Sequence, residues 1–248
     1  MLVHHLNACR DLIVPGDYNA TLLFCVEHLI AIANQSIKDH GAFFIALSGG
    51  STPKAIFEKL TSSPYKERMP WDKTHFFWSD ERTVPPDHPD SNYHMAMQAG
   101  LKNMPIPPPH IHRMVTETDL ENNAHSYEKT IQDVLKEHSF DLMMLGMGED
   151  GHTASLFPNT EGLKVENRLA IPNYIPEKKT WRMTLTFPCI NAAKHIAIYV
   201  MGISKKETLA SVLQNKANYP VLQVGTPQNK ALWIVDQPAA TNLKLGES

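Results

Sequence analysis

Residues 146–158 read GMGEDGHTASLFP, and the rest of the chain can be interpreted outward from them. They follow a short apolar run, FDLMML at residues 140–145, which is typical of a buried strand. Three glycines then allow a sharp turn, and Asp150 and His152 lie within it. Because functional groups of parallel α/β folds lie at the carboxyl ends of strands, this turn predicts a catalytic loop that carries an acid and a histidine.

Strand and helix patterns alternate on both sides of this loop. Apolar runs predict further strands at residues 42–47, 75–78, 182–187, 195–200 and 231–235. Apolar residues at helical spacing predict helices that begin near the capping residues Asp17, Thr52, Ser91, Asp119 and Ser204. The alternation predicts an α/β fold with a mostly parallel sheet and helices on both faces. Residues 1–16 and 159–179 show no clear pattern, and no linker divides residues 1–248, so a single domain is expected.

The composition is that of an ordinary globular protein. Of 248 residues, 42% are hydrophobic and 20% are charged, which suffices to bury a core. The three cysteines are far apart and form no CxxC pair, so no metal site and no disulfide is expected, in keeping with a reducing cytosol. A net charge of −3 without a block of Lys and Arg argues against nucleic-acid binding. Neither a signal peptide nor an apolar run of membrane-spanning length is visible, so a cytoplasmic protein without membrane contact is expected.

Gly146, Gly148 and Gly151 also spell G-x-G-x-x-G, the fingerprint of dinucleotide-binding folds. Three features argue against that interpretation. The fingerprint opens a long helix, whereas Pro158 ends any helix within about two turns. Two adjacent acids in the loop would repel a pyrophosphate. The fingerprint also requires a strand that ends in an acid about 20 residues further on, but the sequence there is irregular. A dinucleotide cofactor is therefore not expected.

His152 is the leading candidate for a catalytic residue. Most histidines have structural roles, but glycines on both sides of Asp150 free the backbone to aim His152 outward. Asp150 can orient an imidazole or support its charge, and an imidazole is suited to taking a proton from water. The spacing alone leaves the catalytic and the structural role open.

A second glycine-rich turn, SGGST at residues 48–52, follows the strand predicted at 42–47. Thr52 is a plausible N-cap, and Pro53 suits the first position of a helix. The amides of such a turn and the helix dipole favour an anion, and the hydroxyls add donors. The turn lacks the lysine of a Walker loop, and a plain strand-to-helix connection is the alternative.

Three basic residues are candidates for contacts with an anion. Lys205 follows Ser204, the predicted cap of a helix, where a cation opposes the helix dipole unless an anion compensates it. A solvated lysine is the alternative. Arg182 begins a strand and offers a planar fork suited to phosphate. Arg82 ends another strand after two acids, and an ion pair with one of them is the alternative.

Five motifs occur in one order along the chain. They are SGGSTP from residue 48, SDERTVPPDHPDSNY from 79, LGMGEDGHTASLFP from 145, RMTLTFP from 182 and GISKKETL from 202. Together they resemble the 6-phosphogluconolactonases, which belong to a wider group that includes the glucosamine-6-phosphate isomerases. The resemblance runs from about residue 42 to ALWIVDQPAA at 231–240. It implies a Rossmann-like three-layer sandwich, no cofactor, and hydrolysis of 6-phospho-D-glucono-1,5-lactone to 6-phospho-D-gluconate in the pentose phosphate pathway.

The resemblance also implies roles for the residues already singled out. His152 corresponds to the family's proposed general base, with Asp150 beside it, and Arg82 to an arginine that contacts the substrate at the catalytic centre. Arg182 and Lys205 correspond to a basic pair that binds phosphate. The turn that contacts the sugar phosphate corresponds to Gly49, Gly50, Ser51 and Thr52. The expected partner is a sugar-phosphate substrate, bound by a monomer or a weak homo-oligomer.

Two alternatives have other functions. Glucosamine-6-phosphate isomerases carry a Glu five residues after the histidine, where this chain has Phe157, and they tend to have an aromatic residue in place of Arg82. Their ring opening and proton transfer between carbons need further acid–base groups, so Phe157 favours hydrolysis. A sugar-phosphate sensor would carry a DNA-binding segment, for which this sequence shows no spare N-terminal residues and no basic patch.

Overall fold

The computed structural model describes residues 2–214 and 218–245, which fold into two sheets with helices packed around them. The strands are β1 (Val3–Asn7), β2 (Arg10–Ile13), β3 (Phe43–Leu47), β4 (Thr74–Trp78), β5 (Asp80–Arg82), β6 (Leu142–Gly146), β7 (Ala170–Ile175), β8 (Thr180–Leu185), β9 (His195–Val200) and β10 (Ala231–Val235). The helices are α1 (Tyr18–His40), α2 (Ser51–Leu60), α3 (Asn92–Gln98), α4 (Leu120–Leu135), α5 (Phe187–Asn191), α6 (Lys206–Gln214) and α7 (Gln237–Ala240).

The main sheet is mostly parallel, as predicted. Its strands lie in the order β1–β2–β10–β9–β6–β3–β4, and β1 is the strand that runs antiparallel to its neighbour. All five residues of β3 and four of the five in β6 are buried, which is the pattern of parallel strands covered on both faces. The predicted α/β class and the Rossmann-like layering are confirmed.

Helix α1 begins and ends as the sequence predicts. Oδ1 of Asp17 accepts a hydrogen bond from the amide of Ala20 at 2.8 Å, and Gly41 ends the helix in the left-handed conformation at φ 85°. Its 23 residues are also long and apolar enough to span a membrane, which departs from the expectation that no such segment exists. However, Val26 and Leu29 are 0% and 1% exposed, so the apolar side of α1 is part of the protein core.

Two segments without a clear sequence pattern also form strands. Residues within 1–16 form the hairpin β1–β2, whose outer strand alternates exposed and half-buried residues. Residues within 159–179 include β7, which contains Pro172 and pairs antiparallel with β8. Both β1 and β7 lie at the edge of a sheet. An edge strand needs little apolar sequence and tolerates proline, so neither segment carries the pattern of a central strand.

The second sheet, in the order β5–β8–β7, is antiparallel and adds to the predicted architecture. The strand predicted at 182–187 is present as β8, but it begins at Thr180 and ends before α5, so Arg182 lies inside the strand and not at its start as predicted. It also belongs to this second sheet. β5 lies where the sequence suggests an exit to solvent or to a ligand, and its Asp80 and Glu81 are 5% and 3% exposed. The register of β5 and β8 sets Arg82 directly opposite Arg182.

Candidate active site

The carboxyl ends of β3, β4 and β6 meet at one edge of the main sheet, beside the antiparallel sheet. A cavity of about 190 Å³ lies there, and we refer to it as the site cavity. It is lined by Ser48, Gly49, Gly50, Asp80, Arg82, Asn92, Gly146, Met147, Gly148, His152, Thr153, Ala154 and Arg182. The predicted site residues Gly49, Gly50, Arg82, His152 and Arg182 are among them.

A larger groove of about 1060 Å³ lies along the antiparallel sheet, between Thr83 and Trp181 on one side and the start of α4 on the other. Of the predicted site residues, all of which the structure describes, none lines this groove. No group of three or more His, Cys, Asp or Glu side chains in residues 2–214 and 218–245 is placed to hold a metal ion. Because the predicted site residues line the smaller cavity, we treat that cavity as the candidate site, although the groove is larger.

His152 and Asp150 form a hydrogen-bonded pair at the site cavity. Nδ1 of His152 lies 2.5 Å from Oδ1 of Asp150, and the same oxygen accepts a hydrogen bond from the His152 amide at 3.2 Å. Burial opposes the charged form of Asp150, but the hydrogen bonds and charge of His152 outweigh it and lower the pKa of this carboxyl. An ionised Asp150 fixes the proton of a neutral imidazole on Nδ1, which leaves Nε2 able to accept a proton.

Two positions of the 146–158 loop require glycine. A Cβ on Gly148 would lie 2.0 Å from Nδ1 of His152, so the imidazole packs directly against this backbone. Gly151 has a φ of 72°, and a Cβ there would lie 2.5 Å from the ring of Tyr219. The glycines that suggested a nucleotide fingerprint thus serve to bring the loop backbone close to the histidine and to its neighbours.

Arg82 and Arg182 extend from neighbouring strands into the site cavity. Nη1 of Arg82 donates to the carbonyl of Asp90 at 2.5 Å. Nη1 of Arg182 lies 3.4 Å from the hydroxyl of Ser155 and 4.0 Å from a carboxylate oxygen of Asp80. Burial and the charge of Arg82 lower the pKa of Arg182, although the charge of Asp80 raises it. The Nε of each arginine is buried and has no hydrogen-bond partner among the described residues. Two adjacent guanidinium groups with unused donors favour binding of an anion such as phosphate.

The glutamate that precedes Arg82 is engaged elsewhere. The carboxylate of Glu81 accepts hydrogen bonds from the hydroxyl of Ser91 at 2.8 Å and from the amides of Asn92 and Tyr93 at 2.8 and 2.9 Å. It therefore holds the N-terminus of α3, and burial raises its pKa although these donors oppose the shift. The alternative of an ion pair between the guanidinium of Arg82 and Glu81 is not the arrangement in the structure.

Asp80, whose role the sequence leaves open, joins three parts of the site. Its carboxylate accepts hydrogen bonds from the hydroxyl of Ser155 at 2.6 Å and from the side-chain amide of Asn92 at 3.1 Å. Asn92 lies against Gly49, where a Cβ would come within 1.9 Å of the amide oxygen. The sequence does not identify Asn92, at the start of α3, or Ser155 as site residues, because single small polar residues have no pattern of their own.

The turn at residues 48–52 reaches the site cavity through its first three residues. Helix α2 begins at Ser51, with Gly50 in the capping position at φ 105° and no side-chain hydrogen bond to the helix. The predicted cap, Thr52, therefore lies inside the first turn, because Gly50 adopts a conformation that lets the helix begin earlier. Neither Ser51 nor Thr52 lines the cavity, but the amides at the start of α2 face no helical acceptor and suit an anion.

Lys205 lies beside the wall of the site cavity rather than among its lining residues. A 3₁₀ turn at Ile203–Lys205 precedes α6, which begins at Lys206, so Lys205 is not in the first turn of that helix as predicted. Its Nζ donates to the carbonyl of Met147 at 3.2 Å, and Met147 lines the cavity. An ammonium has three donors, so this contact leaves Lys205 able to bind an anion as well.

Phe157 connects the histidine to the basic residues. Its ring is 2% exposed and stacks on the imidazole of His152, with ring centroids 3.8 Å apart and planes inclined by 15°. The guanidinium carbon of Arg182 and Nζ of Lys178 lie over the same ring, 5.5 and 5.7 Å from its centroid. The sequence marks this position only as one that lacks an acid, and the stacking becomes apparent in the structure.

Known proteins resemble the chain in both sequence and fold. The family described as "Glucosamine-6-phosphate isomerases/6-phosphogluconolactonase" matches residues 17–233. A 6-phosphogluconolactonase of Chlamydia pneumoniae is 43% identical over 210 residues, covering 83% of this chain and 80% of the relative. One from Nostoc sp. is 39% identical over 244 residues, covering 94% of this chain and 98% of the relative.

A solved structure agrees with these sequence comparisons. The solved 6-phosphogluconolactonase of Trypanosoma cruzi has a TM-score of 0.81 at 28% identity, covering 94% of this chain and 96% of the other chain. The chain thus belongs to the glucosamine-6-phosphate isomerase/6-phosphogluconolactonase family.

Proposed function

We propose that the protein is an enzyme that hydrolyses 6-phospho-D-glucono-1,5-lactone to 6-phospho-D-gluconate, a step of the pentose phosphate pathway. Two relatives that align over 80% and 98% of their own lengths bear the name of this activity. The observation that carries the proposal is the presence of the Asp150–His152 pair and of two adjacent arginines at one cavity. The cavity thereby combines a base for water with donors for a phosphate ester.

The phosphate of the substrate binds to the basic end of the site cavity. Arg182 supplies a planar fork, the turn at residues 48–52 supplies amide donors at the start of α2, and Lys205 approaches from beside Met147. This binding orients the lactone ring and brings its carbonyl carbon, C1, near His152. Phosphate binding thus holds the reactants at a fixed distance before any bond changes.

Hydrolysis then requires one base and one site for an oxyanion. Nε2 of His152 takes a proton from water while the water oxygen attacks C1, and Asp150 stabilises the imidazolium that forms. The carbonyl oxygen becomes an oxyanion, which Arg82 and the amides of the 48–50 turn can stabilise from the cavity wall. The tetrahedral intermediate collapses, the bond from C1 to the ring oxygen breaks, and the imidazolium returns its proton to that oxygen. The product is the open-chain acid.

The family also contains isomerases, and Phe157 argues against their chemistry in this chain. An isomerase needs a further acid–base group to move a proton between carbons. At the position where the isomerases carry a Glu, this chain has a buried aromatic ring packed on His152. The structure therefore places a hydrocarbon surface, and not a carboxylate, at this position beside His152, which suits hydrolysis of a lactone.

The decisive experiment measures lactone hydrolysis above its spontaneous background, by acid release in weak buffer, with glucosamine 6-phosphate as a parallel substrate. We expect rapid lactone hydrolysis, no release of ammonia from the amino sugar, and loss of hydrolysis in His152→Gln. Release of ammonia would favour the isomerase activity instead. Calorimetric binding of 6-phosphogluconate without turnover of either substrate would indicate a sensor and contradict the proposal.

We also propose that residues 1–248 form a single domain that works in the cytoplasm as a monomer or weak homo-oligomer, without nucleic acid or membrane. The main sheet and the antiparallel sheet both contribute residues to the site cavity, which supports one domain. The net charge of −3 supports the absence of nucleic-acid binding. Sedimentation velocity at several concentrations tests the oligomeric state, and a concentration-independent dimer would contradict it.

A further inference from the structure

We propose that Phe157 is a positioning residue that fixes the plane of the His152 imidazole and stabilises its positive charge during the reaction. The inference rests on the proposed function, because it assumes that His152 takes a proton from water. The observation behind it is the parallel stacking of the two rings, with centroids 3.8 Å apart and planes inclined by 15°.

Asp150 alone does not determine the orientation of the imidazole. Besides the covalent bond to Cβ, it holds the imidazole at one ring atom, Nδ1, at 2.5 Å, and small changes of the side-chain torsions can still tilt the ring while this hydrogen bond is kept. The side chain of His152 is 25% exposed, so part of its surroundings is solvent and leaves room for such movement. A second contact is needed to hold Nε2 toward the substrate.

Phe157 supplies that second contact. Its side chain is 2% exposed and is therefore held by the surrounding core, so its ring is a fixed surface for the imidazole. Asp150 fixes one atom of the imidazole and Phe157 fixes its plane, and the backbone of Gly148 packs against the same ring. Together the three contacts leave a single orientation for Nε2.

The stacking also has an electrostatic consequence. The face of an aromatic ring carries partial negative charge and attracts cations. His152 is neutral before water is attacked and becomes a cation as the proton moves, so the attraction to Phe157 grows toward the transition state. An interaction that is stronger in the transition state than in the bound substrate raises kcat rather than lowering KM.

Two cations also lie over the Phe157 ring. Arg182 and Lys178 lie 5.5 and 5.7 Å from the centroid of Phe157 and interact with its face before and after substrate binds. Loss of the ring should therefore change KM modestly. We expect Phe157→Leu, which keeps an apolar side chain but removes the ring, to lower kcat about tenfold with at most about a threefold change in KM.

The matched control is Phe43→Leu. Phe43 is 0% exposed and begins β3 at the end of the strand that is far from the site cavity, so the same substitution removes the same buried ring elsewhere. It should lower thermal stability while kcat stays within twofold of the parent protein. Phe157→Tyr keeps the aromatic face and should retain most of kcat. A kcat in Phe157→Leu equal to that of Phe43→Leu would overturn the proposal.

A spectroscopic measurement tests the stacking without any assay of activity. A ring stacked on an aromatic face has its proton resonances displaced upfield, so the Cε1 and Cδ2 protons of His152, assigned with His152→Gln, should lie upfield in the parent protein. They should move downfield in Phe157→Leu and remain upfield in Phe157→Tyr. Resonances at ordinary positions in the parent protein overturn the proposal even if Phe157→Leu does not fold. Upfield resonances in a protein without lactonase activity would contradict the proposed function instead.

Discussion

Arg82 and Arg182 lie directly opposite each other on the antiparallel strands β5 and β8. Like charges at such a position repel each other, and the buried Nε of each has no partner among the described residues. Asp80 and the carbonyl of Asp90 offset part of this repulsion, and an anion in the cavity would offset more of it. The pair is therefore a structural reason to expect an anionic substrate, with Arg182 toward its phosphate and Arg82 toward the developing oxyanion as proposed.

Removal of Arg182 should weaken substrate binding. Arg182→Ala deletes charge-assisted hydrogen bonds to phosphate, each worth roughly 1.5–3 kcal/mol, so KM for the lactone should rise roughly 10- to 100-fold with a small change in kcat. Steady-state kinetics over a wide range of lactone concentrations measures both constants. Arg68→Ala is the control, because Arg68 forms an exposed ion pair with Glu27 and should leave KM unchanged. A loss confined to kcat would indicate that Arg182 acts on the transition state.

Removal of the imidazole should abolish general-base catalysis. His152→Ala should lower kcat by roughly 10²-fold or more, the usual contribution of a general base. The measurement is initial lactone hydrolysis after subtraction of the spontaneous rate. The site would have to be reassigned if the variant kept the kcat of the parent protein.

Asp150→Asn should also lower kcat, by at least about tenfold, although its shape is conserved. A neutral amide no longer fixes the proton on Nδ1 of His152 or supports the imidazolium. Because the pKa of Asp150 is lowered, its carboxylate remains ionised as the pH falls to its ordinary value of 3.8, and its protonation should not limit activity above that pH. The pH profile of kcat/KM between pH 5 and 8 checks this, and an Asn variant with full kcat would contradict it.

A methyl group on Gly148 should disturb the histidine selectively. The Cβ of Gly148→Ala would lie 2.0 Å from Nδ1 of His152 and must displace the imidazole, so kcat should fall by about tenfold or more. Gly162→Ala is the matched comparison, because a Cβ there would also meet a side chain, Asn173 at 2.9 Å, but outside the site cavity, so its loss of kcat should be much smaller. Equal losses in the two variants would refute the close contact between Gly148 and His152.

Acid should destabilise the protein through His75 and His112. Both rings are half-buried, a nitrogen of one lies 3.2 Å from a nitrogen of the other, and they lie at the end of the main sheet opposite the site cavity. Burial, followed by the charges of neighbouring histidines, lowers the pKa of each to about 4 from 6.5. The unfolded chain therefore binds protons first as the pH falls, so this stability is complete above pH 6.5 and is lost toward pH 4. The loss is at most about 1.4 kcal/mol per pH unit for each histidine, and less because solvent reaches both rings.

Urea unfolding at pH 7 and pH 5 measures this loss. His75→Gln removes one of the titrating groups, so its free energy of unfolding should fall less between the two pH values than that of the parent protein. His5→Gln, at an exposed side chain, is the control and should behave like the parent. An equal loss in His75→Gln and the parent would show that other groups govern acid stability.

The sequence was sufficient to predict the main sheet except for the hairpin β1–β2, because its other strands are continuous apolar runs, as in β3 and β6. The second sheet was not predicted, because β5 has only three residues and β7 contains Pro172. Their pairing depends on contacts between segments far apart in the chain, which no local pattern encodes.

The individual site residues were easier to predict than the contacts between them. Arg82 ends β5 and Arg182 lies within β8, and the charge of each is visible in the sequence, but their opposition follows from the register of the two strands. Asp80 and Ser155 form a hydrogen bond of 2.6 Å that depends on how the 146–158 loop folds back over β5. Short polar contacts of this kind arise only after the backbone is in place.

The division of the site between two sheets has a consequence for substrate length. His152 follows β6 of the main sheet, whereas Arg182 belongs to β8 of the antiparallel sheet. If Arg182 binds the phosphate and His152 activates water, as proposed, the distance between these two side chains limits the number of atoms between the phosphate and the carbon under attack. A lactone with a shorter carbon chain would then place its phosphate beside Arg182 with its carbonyl short of His152. Selection by reach in this way does not depend on the configuration of the sugar hydroxyls.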